Sequence, residues 1–120
     1  MSPFSQNTPN DPALAVLNPE QMGILRDEGL LESLTVLFEE MAGSTIEAMA
    51  AALEAGDTRG LSSKAHLLKG SAVNFGADRL VAVCQELEQS AAGLEKPELQ
   101  RLFEAIRTEY QLVSEALHAA

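Results

Sequence analysis

The sequence contains few of the residue types that mark disulfide-stapled, metal-binding or sheet-rich proteins. It has no tryptophan, and aromatic residues make up 4% of the chain although 46% of its residues are hydrophobic. Alanine, leucine, glutamate and glutamine are abundant instead, which favours helices over sheets. Cys84 is the only cysteine, so an internal disulfide and a CxxC metal pair are excluded and a reducing cytoplasm is the expected compartment. The composition predicts an all-α protein.

Basic residues are also scarce. Eight lysines and arginines face 18 acidic residues, which gives a formal net charge of -10. Nucleic acids and anionic membrane surfaces are bound through basic patches, so neither is an expected partner. The sequence has no apolar run of about 18 residues and no signal-peptide pattern. A cytoplasmic, soluble protein is expected.

The length of 120 residues is typical of one domain. Residues 1–18 are rich in proline, asparagine and serine, which predicts a flexible N-terminal segment, and residues 19–120 form the predicted helical domain. Asn18, followed by Pro19 and Glu20, has the residue order of a helix start. The short helix that begins there is expected to end near Gly29.

Four longer stretches carry apolar residues at alternating steps of four and three, as amphipathic helices do. The predicted core-facing residues are Leu34, Phe38, Met41, Thr45, Ala48 and Ala52, then Leu61, Ala65, Leu68, Ala72 and Phe75, then Leu80 or Val81, Cys84, Leu87, Ala91 and Leu94, and finally Leu99, Phe103, Ile106, Tyr110, Val113 and Leu117. Gly56 and Gly76 are placed to end the second and third helices, while Asp57 or Thr58 is placed to cap the third helix and Asp78 the fourth. The pattern predicts an antiparallel four-helix bundle with a short additional N-terminal helix.

His66 lies one position off the core-facing row of the third helix, and its side chain should therefore reach solvent. Its helical neighbours are Ser62, Lys69 and Gly70, with Val73 two turns on, so small side chains and one lysine surround the imidazole. A glycine inside a helix costs about 1 kcal/mol relative to alanine. Room beside His66 would explain Gly70, and a close helix crossing is the alternative.

The surroundings of His66 in the sequence are free of acidic residues. None occurs between Thr58 and Ala77, where Arg59, Lys64 and Lys69 all lie, which predicts a basic or neutral surface on an acidic protein. A neutral imidazole is a competent nucleophile, and a lysine one turn away can pair with an arriving anion. Phosphoryl transfer depends mostly on positioning and charge neutralisation, so a phosphoryl group is the expected anion.

The stretch AHLLKGSAVNFGA, residues 65–77, continuing into Leu80, Cys84, Leu87 and Glu88, resembles the histidine-containing phosphotransfer (HPt) domain family. The resemblance extends over roughly residues 19–118 and implies a four-helix bundle with a short leading helix. It implies that His66 accepts the phosphoryl group, that Lys69 stabilises that group, and that Gly70 leaves room for a receiver domain to dock. Ser62 and Val73 would belong to the same partner-binding face.

The resemblance also implies a relay in a two-component system. The chain would take a phosphoryl group from the aspartate of one receiver domain, in a response regulator or hybrid histidine kinase, and pass it to another receiver. The expected state is a monomer that binds no cofactor and no metal, with Mg²⁺ held by the receiver. The sequence has neither a GxGxxG nor a GxxxxGK loop, so the chain is not expected to be a kinase.

Other interpretations remain open. A non-catalytic helical adaptor could bind a signalling partner through the His66 face without phosphoryl transfer. A metal or redox enzyme is disfavoured because His118 lies near the end of the chain and Cys84 falls on a core-facing row, where a thiol is buried and inert. Val73, Met22 and Leu25 could form an exposed patch that receivers bind, or they could pack on the bundle.

Overall fold

A computed structural model describes residues 14–120. Within that range the chain forms helices and no strands, which confirms the predicted all-α class. The helices are α1 (Pro19–Asp27), α2 (Leu31–Ala55), α3 (Thr58–Ala72), α4 (Asp78–Ser90) and α5 (Lys96–Ala119). Short 3₁₀ turns at Val73–Phe75 and Ala91–Gly93 extend α3 and α4.

Three helix ends follow the capping residues in the sequence. The Asn18 side chain accepts a hydrogen bond from the Gln21 backbone N–H at 3.0 Å, and that of Asp57 accepts one from the Gly60 N–H at 2.9 Å. Gly56 ends α2 with φ 71°, a left-handed conformation that disfavours residues with a Cβ. The predicted cap at Asp78 is wrong, because Ala77 precedes α4 and Asp78 is its first residue, where its charge still lies at the positive end of the helix dipole.

The four long helices pack in a closed ring. α2 contacts α3, α3 contacts α4, α4 contacts α5, and α5 returns to α2. The connections are short, so successive helices run antiparallel, and the predicted bundle is confirmed. Phe38 of α2 and Phe75 meet edge to face near one end of the core, with ring centroids 5.1 Å apart.

The predicted core row of α3 is correct in full, whereas that of α2 is displaced. The buried residues of α2 are Thr35, Phe38, Ala42, Thr45, Met49 and Leu53. Only Phe38 and Thr45 are common to both rows, and the predicted Leu34 and Met41 are half-buried. Because α2 carries adjacent apolar rows and packs against both α3 and α5, its periodicity alone does not determine which row faces the centre.

A buried carboxylate is the main departure from the predicted core of α5. Glu109 is 5% exposed, while the predicted Tyr110 is half-buried. Arg79 of α4 donates to Glu109 Oε2 at 2.8 Å, so the charge is paired across the α4–α5 contact. A buried carboxylate requires such a partner because desolvation disfavours its charged form.

α1 and the residues before it lie against the bundle. Met22 is 5% and Leu25 7% exposed, so the packing interpretation of these side chains is correct and the docking-patch interpretation is wrong. The Asn18 N–H donates to Phe75 O at 3.2 Å, and the Arg79 N–H donates to Ala15 O at 3.1 Å. Residues 14–18 therefore contact the bundle, while most of the predicted flexible segment lies outside the described residues and the domain division at residue 18 stays a prediction.

Between residues 14 and 120, no helix combines the length and the apolar character needed to cross a membrane.

Candidate functional site

His66 lies near the middle of α3, on its outward side. The side chain is 67% exposed. Its neighbours Ala65 and Leu68 are both fully buried. This is the placement that the core-facing row of α3 predicted.

Glu88 of α4 contacts both candidate site residues of α3, His66 and Lys69. Its Oε2 lies 2.8 Å from His66 Nδ1, and its Oε1 accepts a hydrogen bond of 2.6 Å from Lys69 Nζ. One carboxylate therefore fixes an imidazole and an ammonium side by side, on residues three apart along the helix. The hydrogen bond from Lys69, and then that from His66, lowers the pKa of Glu88 against the opposing effect of burial, so this carboxylate is ionised at neutral pH.

The contact with Glu88 determines which imidazole nitrogen is reactive. An ionised carboxylate can only accept hydrogen bonds, so His66 Nδ1 must carry the proton. In neutral imidazole the other nitrogen, Nε2, then holds the lone pair. None of the hydrogen bonds within residues 14–120 involves Nε2 of His66. The site presents a nucleophilic nitrogen toward solvent.

The surface around His66 includes one acidic side chain, which its neighbourhood in the sequence lacks. No acid occurs near His66 in the sequence, yet Glu88 from the neighbouring helix lies within hydrogen-bond distance of it. The sequence signal for Glu88 was its position one residue after the buried Leu87, on a helix expected to pack beside α3. Periodicity placed Glu88 at the edge of α4 but could not give the axial register between the two helices.

Ser62 also contacts Glu88, through the backbone. Its Oγ donates to the Glu88 carbonyl at 2.8 Å. Glu88 is therefore held by its main chain as well as by its side chain, and the hydroxyl fastens α3 to α4 one turn before His66. Ser62 is half-buried and its hydroxyl is already engaged, so its expected role in partner binding stays a prediction.

Gly70 and Val73 continue the exposed side of α3 beyond His66. A Cβ added at Gly70 would meet nothing within 4 Å, which rules out a close helix crossing as the reason for this glycine. Val73 is 56% exposed and Leu67 is 48% exposed. On the α2 side, Leu37 borders a groove together with Ser71 and Asn74. Open space and apolar side chains thus adjoin the imidazole.

Cys84 lies one turn before Glu88 and is fully buried, as predicted. Burial raises the pKa of its thiol to about 12, so the thiol is neutral and unreactive. His118 forms a separate cluster at the α2–α5 contact, where its Nε2 is 3.0 Å from both carboxylate oxygens of Glu39. In the described part of the chain, no three histidine, cysteine or acidic side chains are grouped closely enough to hold a metal ion.

The sequence model of the Hpt domain matches residues 33–116. The chain belongs to the Hpt domain family. Among solved structures, it is similar to the crystal structure of histidine-containing phosphotransfer protein B (HptB) from Pseudomonas aeruginosa PAO1, with 29% sequence identity and a TM-score of 0.70. The similarity covers 89% of this chain and 95% of that one. No curated protein sequence matches the chain.

Proposed function

We propose that the protein is a histidine phosphotransfer intermediate, in which Nε2 of His66 accepts the phosphoryl group and passes it on. The observation that carries this proposal is the double contact of Glu88, which leaves the lone pair on Nε2 and holds the Lys69 ammonium on the carboxylate oxygen next to the one that contacts His66. Lys69 can neutralise an arriving phosphoryl group while it stays bound to Glu88, because an ammonium has three donors. Membership of the Hpt domain family supports histidine phosphotransfer in a phosphorelay.

The donor and the acceptor are receiver domains, each carrying its phosphoryl group on an aspartate. The chain supplies a nucleophile and one cation, whereas phosphoryl transfer also needs charge neutralisation on the donor side. Mg²⁺ held by the receiver provides it. The flow runs from one receiver through His66 to a second receiver.

The receiver docks on the face formed by His66, Leu67, Gly70 and Val73, with Leu37 at its edge. The apolar side chains on this face, Leu37, Leu67 and Val73, are each about half exposed. The polar part of the face consists of His66 and the neighbouring Lys69–Glu88 pair. Gly70 keeps the approach to the imidazole open. Such an apolar surface beside a polar centre is typical of protein-binding sites.

Transfer of labelled phosphoryl from a panel of phosphorylated receiver domains, in the presence of Mg²⁺, tests the proposal. The His66→Gln variant should accept no label, and its melting temperature should stay close to that of the wild type because the side chain is exposed. His118→Gln is the matched control, since His118 has the same 67% exposure and also contacts a carboxylate. It should accept label normally.

Label on His66→Gln at the wild-type level would contradict the assignment. If receivers bind the wild-type protein without transferring label to it, the chain is a helical adaptor that uses the same face. Acid-labile, alkali-stable label on the wild type and on His118→Gln, but not on His66→Gln, is the expected result.

A further inference from the structure

The hydrogen bond between His66 Nδ1 and Glu88 affects more than which imidazole nitrogen is the nucleophile. It also affects how readily the bond between Nε2 and phosphorus breaks. When Nε2 carries a phosphoryl group, the leaving group in the next transfer is the imidazole itself. Imidazole leaves readily if Nδ1 is protonated, because neutral imidazole is then released. Without that proton the leaving group would be the imidazolate anion, which is a far poorer one.

We propose that Glu88 keeps the Nδ1 proton on His66 throughout the relay, so that the phosphoryl group enters and leaves without any proton transfer. This inference rests on the proposed function and concerns the same site. In the first step, the Nε2–P bond forms as the P–O bond to the receiver's aspartate breaks, and the carboxylate departs with the electron pair. The imidazole becomes a phosphorylated imidazolium whose positive charge faces Glu88.

The return step reverses this balance. The carboxylate of the second receiver attacks phosphorus, the Nε2–P bond breaks, and its electron pair returns to Nε2. The imidazolium becomes neutral imidazole with its proton still on Nδ1. Glu88 therefore stabilises the cation in the phosphorylated state, in the same geometry that orients the free imidazole at 2.8 Å.

The charged groups around this contact favour the same outcome. Lys69 is bound to the other oxygen of Glu88 and stays available to the phosphoryl oxygens. Arg59 lies along the same groove between α3 and α4 as Glu88. Cys84 lies one turn before Glu88 on α4, but its thiol is fully buried and stays neutral. Of these groups, only Glu88 is negatively charged, and its carboxylate contacts the protonated Nδ1 of His66.

The titration of phosphorylated His66 tests the inference directly. Wild-type protein and Glu88→Gln are loaded with phosphoramidate, so that loading does not depend on a receiver, and the ³¹P resonance is followed across the pH range in which imidazole titrates. Glutamine retains an oxygen that can accept from Nδ1 but removes the negative charge. The midpoint should fall by about one pH unit or more in Glu88→Gln.

Onward transfer to a receiver provides the functional readout. Above both midpoints, a midpoint lowered by one unit leaves about tenfold less of the protonated form, so Glu88→Gln should transfer about tenfold more slowly there and hold its phosphoryl group longer. The two proteins should converge at acidic pH, where both are protonated. Glu39→Gln is the matched control, because Glu39 contacts the other histidine, and its profile should follow the wild type.

Equal ³¹P midpoints, or transfer rates that differ by a constant factor at every pH, would overturn the inference and leave Glu88 a purely structural residue. If Glu88→Gln does not fold, the inference is tested on the wild type alone. The ³¹P titration midpoint of phosphorylated His66 must then be higher in the native protein than in the protein unfolded in urea. Failure of every receiver to take label from wild-type phosphoprotein would refute the proposed function instead. The ³¹P titration would still report whether Glu88 holds the proton.

Discussion

The two histidines of this protein differ in their neighbouring side chains and not in their exposure. His66 and His118 are equally exposed, and each contacts a carboxylate. His66 also has an ammonium bound to the same carboxylate and a glycine one turn on, whereas the Glu39 carboxylate that contacts His118 is shared with a serine hydroxyl. Only the first arrangement provides a cation for a phosphoryl group and open space for its donor.

Gly70 allows the steric part of this argument to be tested separately from stability. Replacement of a helical glycine by alanine should stabilise the fold by about 1 kcal/mol, because an added Cβ meets nothing at this position. Gly70→Ala should therefore raise the melting temperature and leave phosphoryl transfer almost unchanged. Gly70→Gln should also fold well, but its longer side chain should slow transfer from a receiver by crowding His66.

Gly43 offers the matched control, since it is an exposed helical glycine on α2 where an added Cβ also meets nothing within 4 Å. Gly43→Gln should gain stability without losing transfer rate. Rapid-quench assays measure the rate of phosphoryl transfer, and thermal melts measure the stability. Equal transfer rates for Gly70→Gln and Gly43→Gln would show that the space beside His66 is not used in docking.

At the level of single residues, the sequence was informative where function depends on neighbours within one helix. The spacing of His66, Lys69 and Gly70 placed them on one side of α3, and the structure shows them there. The contact with Glu88 could not be predicted, because it depends on the axial register of α4 against α3. That register is set by packing of the whole interface, and no local pattern encodes it.

At the level of helices, polar contacts tie α5 to its neighbours. Ser114 of α5 donates to Glu39 of α2 at 2.6 Å, and His118 contacts the same carboxylate. The hydrogen bond from Ser114, followed by the interaction with His118, lowers the pKa of Glu39 against the effect of burial. These contacts join the last two turns of α5 to α2.

The lowered pKa of Glu39 makes this contribution to stability dependent on pH. A carboxylate with a lowered pKa in the folded state stabilises that state at pH above its unfolded value, and the stabilisation is lost as the pH falls through the folded value. Ser114→Ala should therefore lower the free energy of unfolding by about 1 kcal/mol at neutral pH. The difference from the wild type should shrink as the pH falls below the ordinary range of a glutamate.

Urea titrations at several pH values measure this difference. Ser90→Ala is a suitable comparison, because Ser90 also lies at a half-buried position near a helix end but contacts no acidic side chain in the described hydrogen bonds. A destabilisation by Ser114→Ala that is the same at neutral and acidic pH would show that the hydroxyl acts by packing and not through the Glu39 charge.

The prediction of the helices was accurate where capping residues and a single apolar row agree. α3 satisfies that condition, since Asp57 caps its start and its whole predicted row is buried. α5 has no side-chain cap, yet five of its six predicted residues are buried. α2 does not meet the condition, because alanine and methionine on adjacent rows give two nearly equivalent faces, and the bundle buries the row of Ala42 and Met49. Glu109 was missed for a different reason: its partner, Arg79, lies 30 residues away in the chain.

At the level of the whole molecule, charge and surface composition favour a single copy in solution. The chain carries a formal net charge of -10, so two copies repel each other. Within residues 14–120 the large exposed apolar side chains are spread over α1, α2, α3 and the residues next to them, namely Ile24, Leu30, Val36, Leu37, Leu67 and Val73. We therefore expect a monomer.

Light scattering coupled to size-exclusion chromatography should give a mass near 12.8 kDa over a wide range of protein concentration. Added salt screens the repulsion between copies, so the measurement at high salt is the stricter one. A dimer that persists at low concentration would contradict the expectation. If Leu37→Asp then restored the monomer, the receiver-docking face would be the surface that pairs.

The buried thiol of Cys84 can report how often α4 separates from the helices around it. The thiol lies in the core beneath the site, with a pKa near 12, and is the chain's single cysteine. A thiol reagent can therefore modify the protein only when α4 separates from its neighbours, and the labelling rate counts those separations. Because the same helix carries Glu88, each separation that exposes the thiol also takes the carboxylate away from the imidazole of His66.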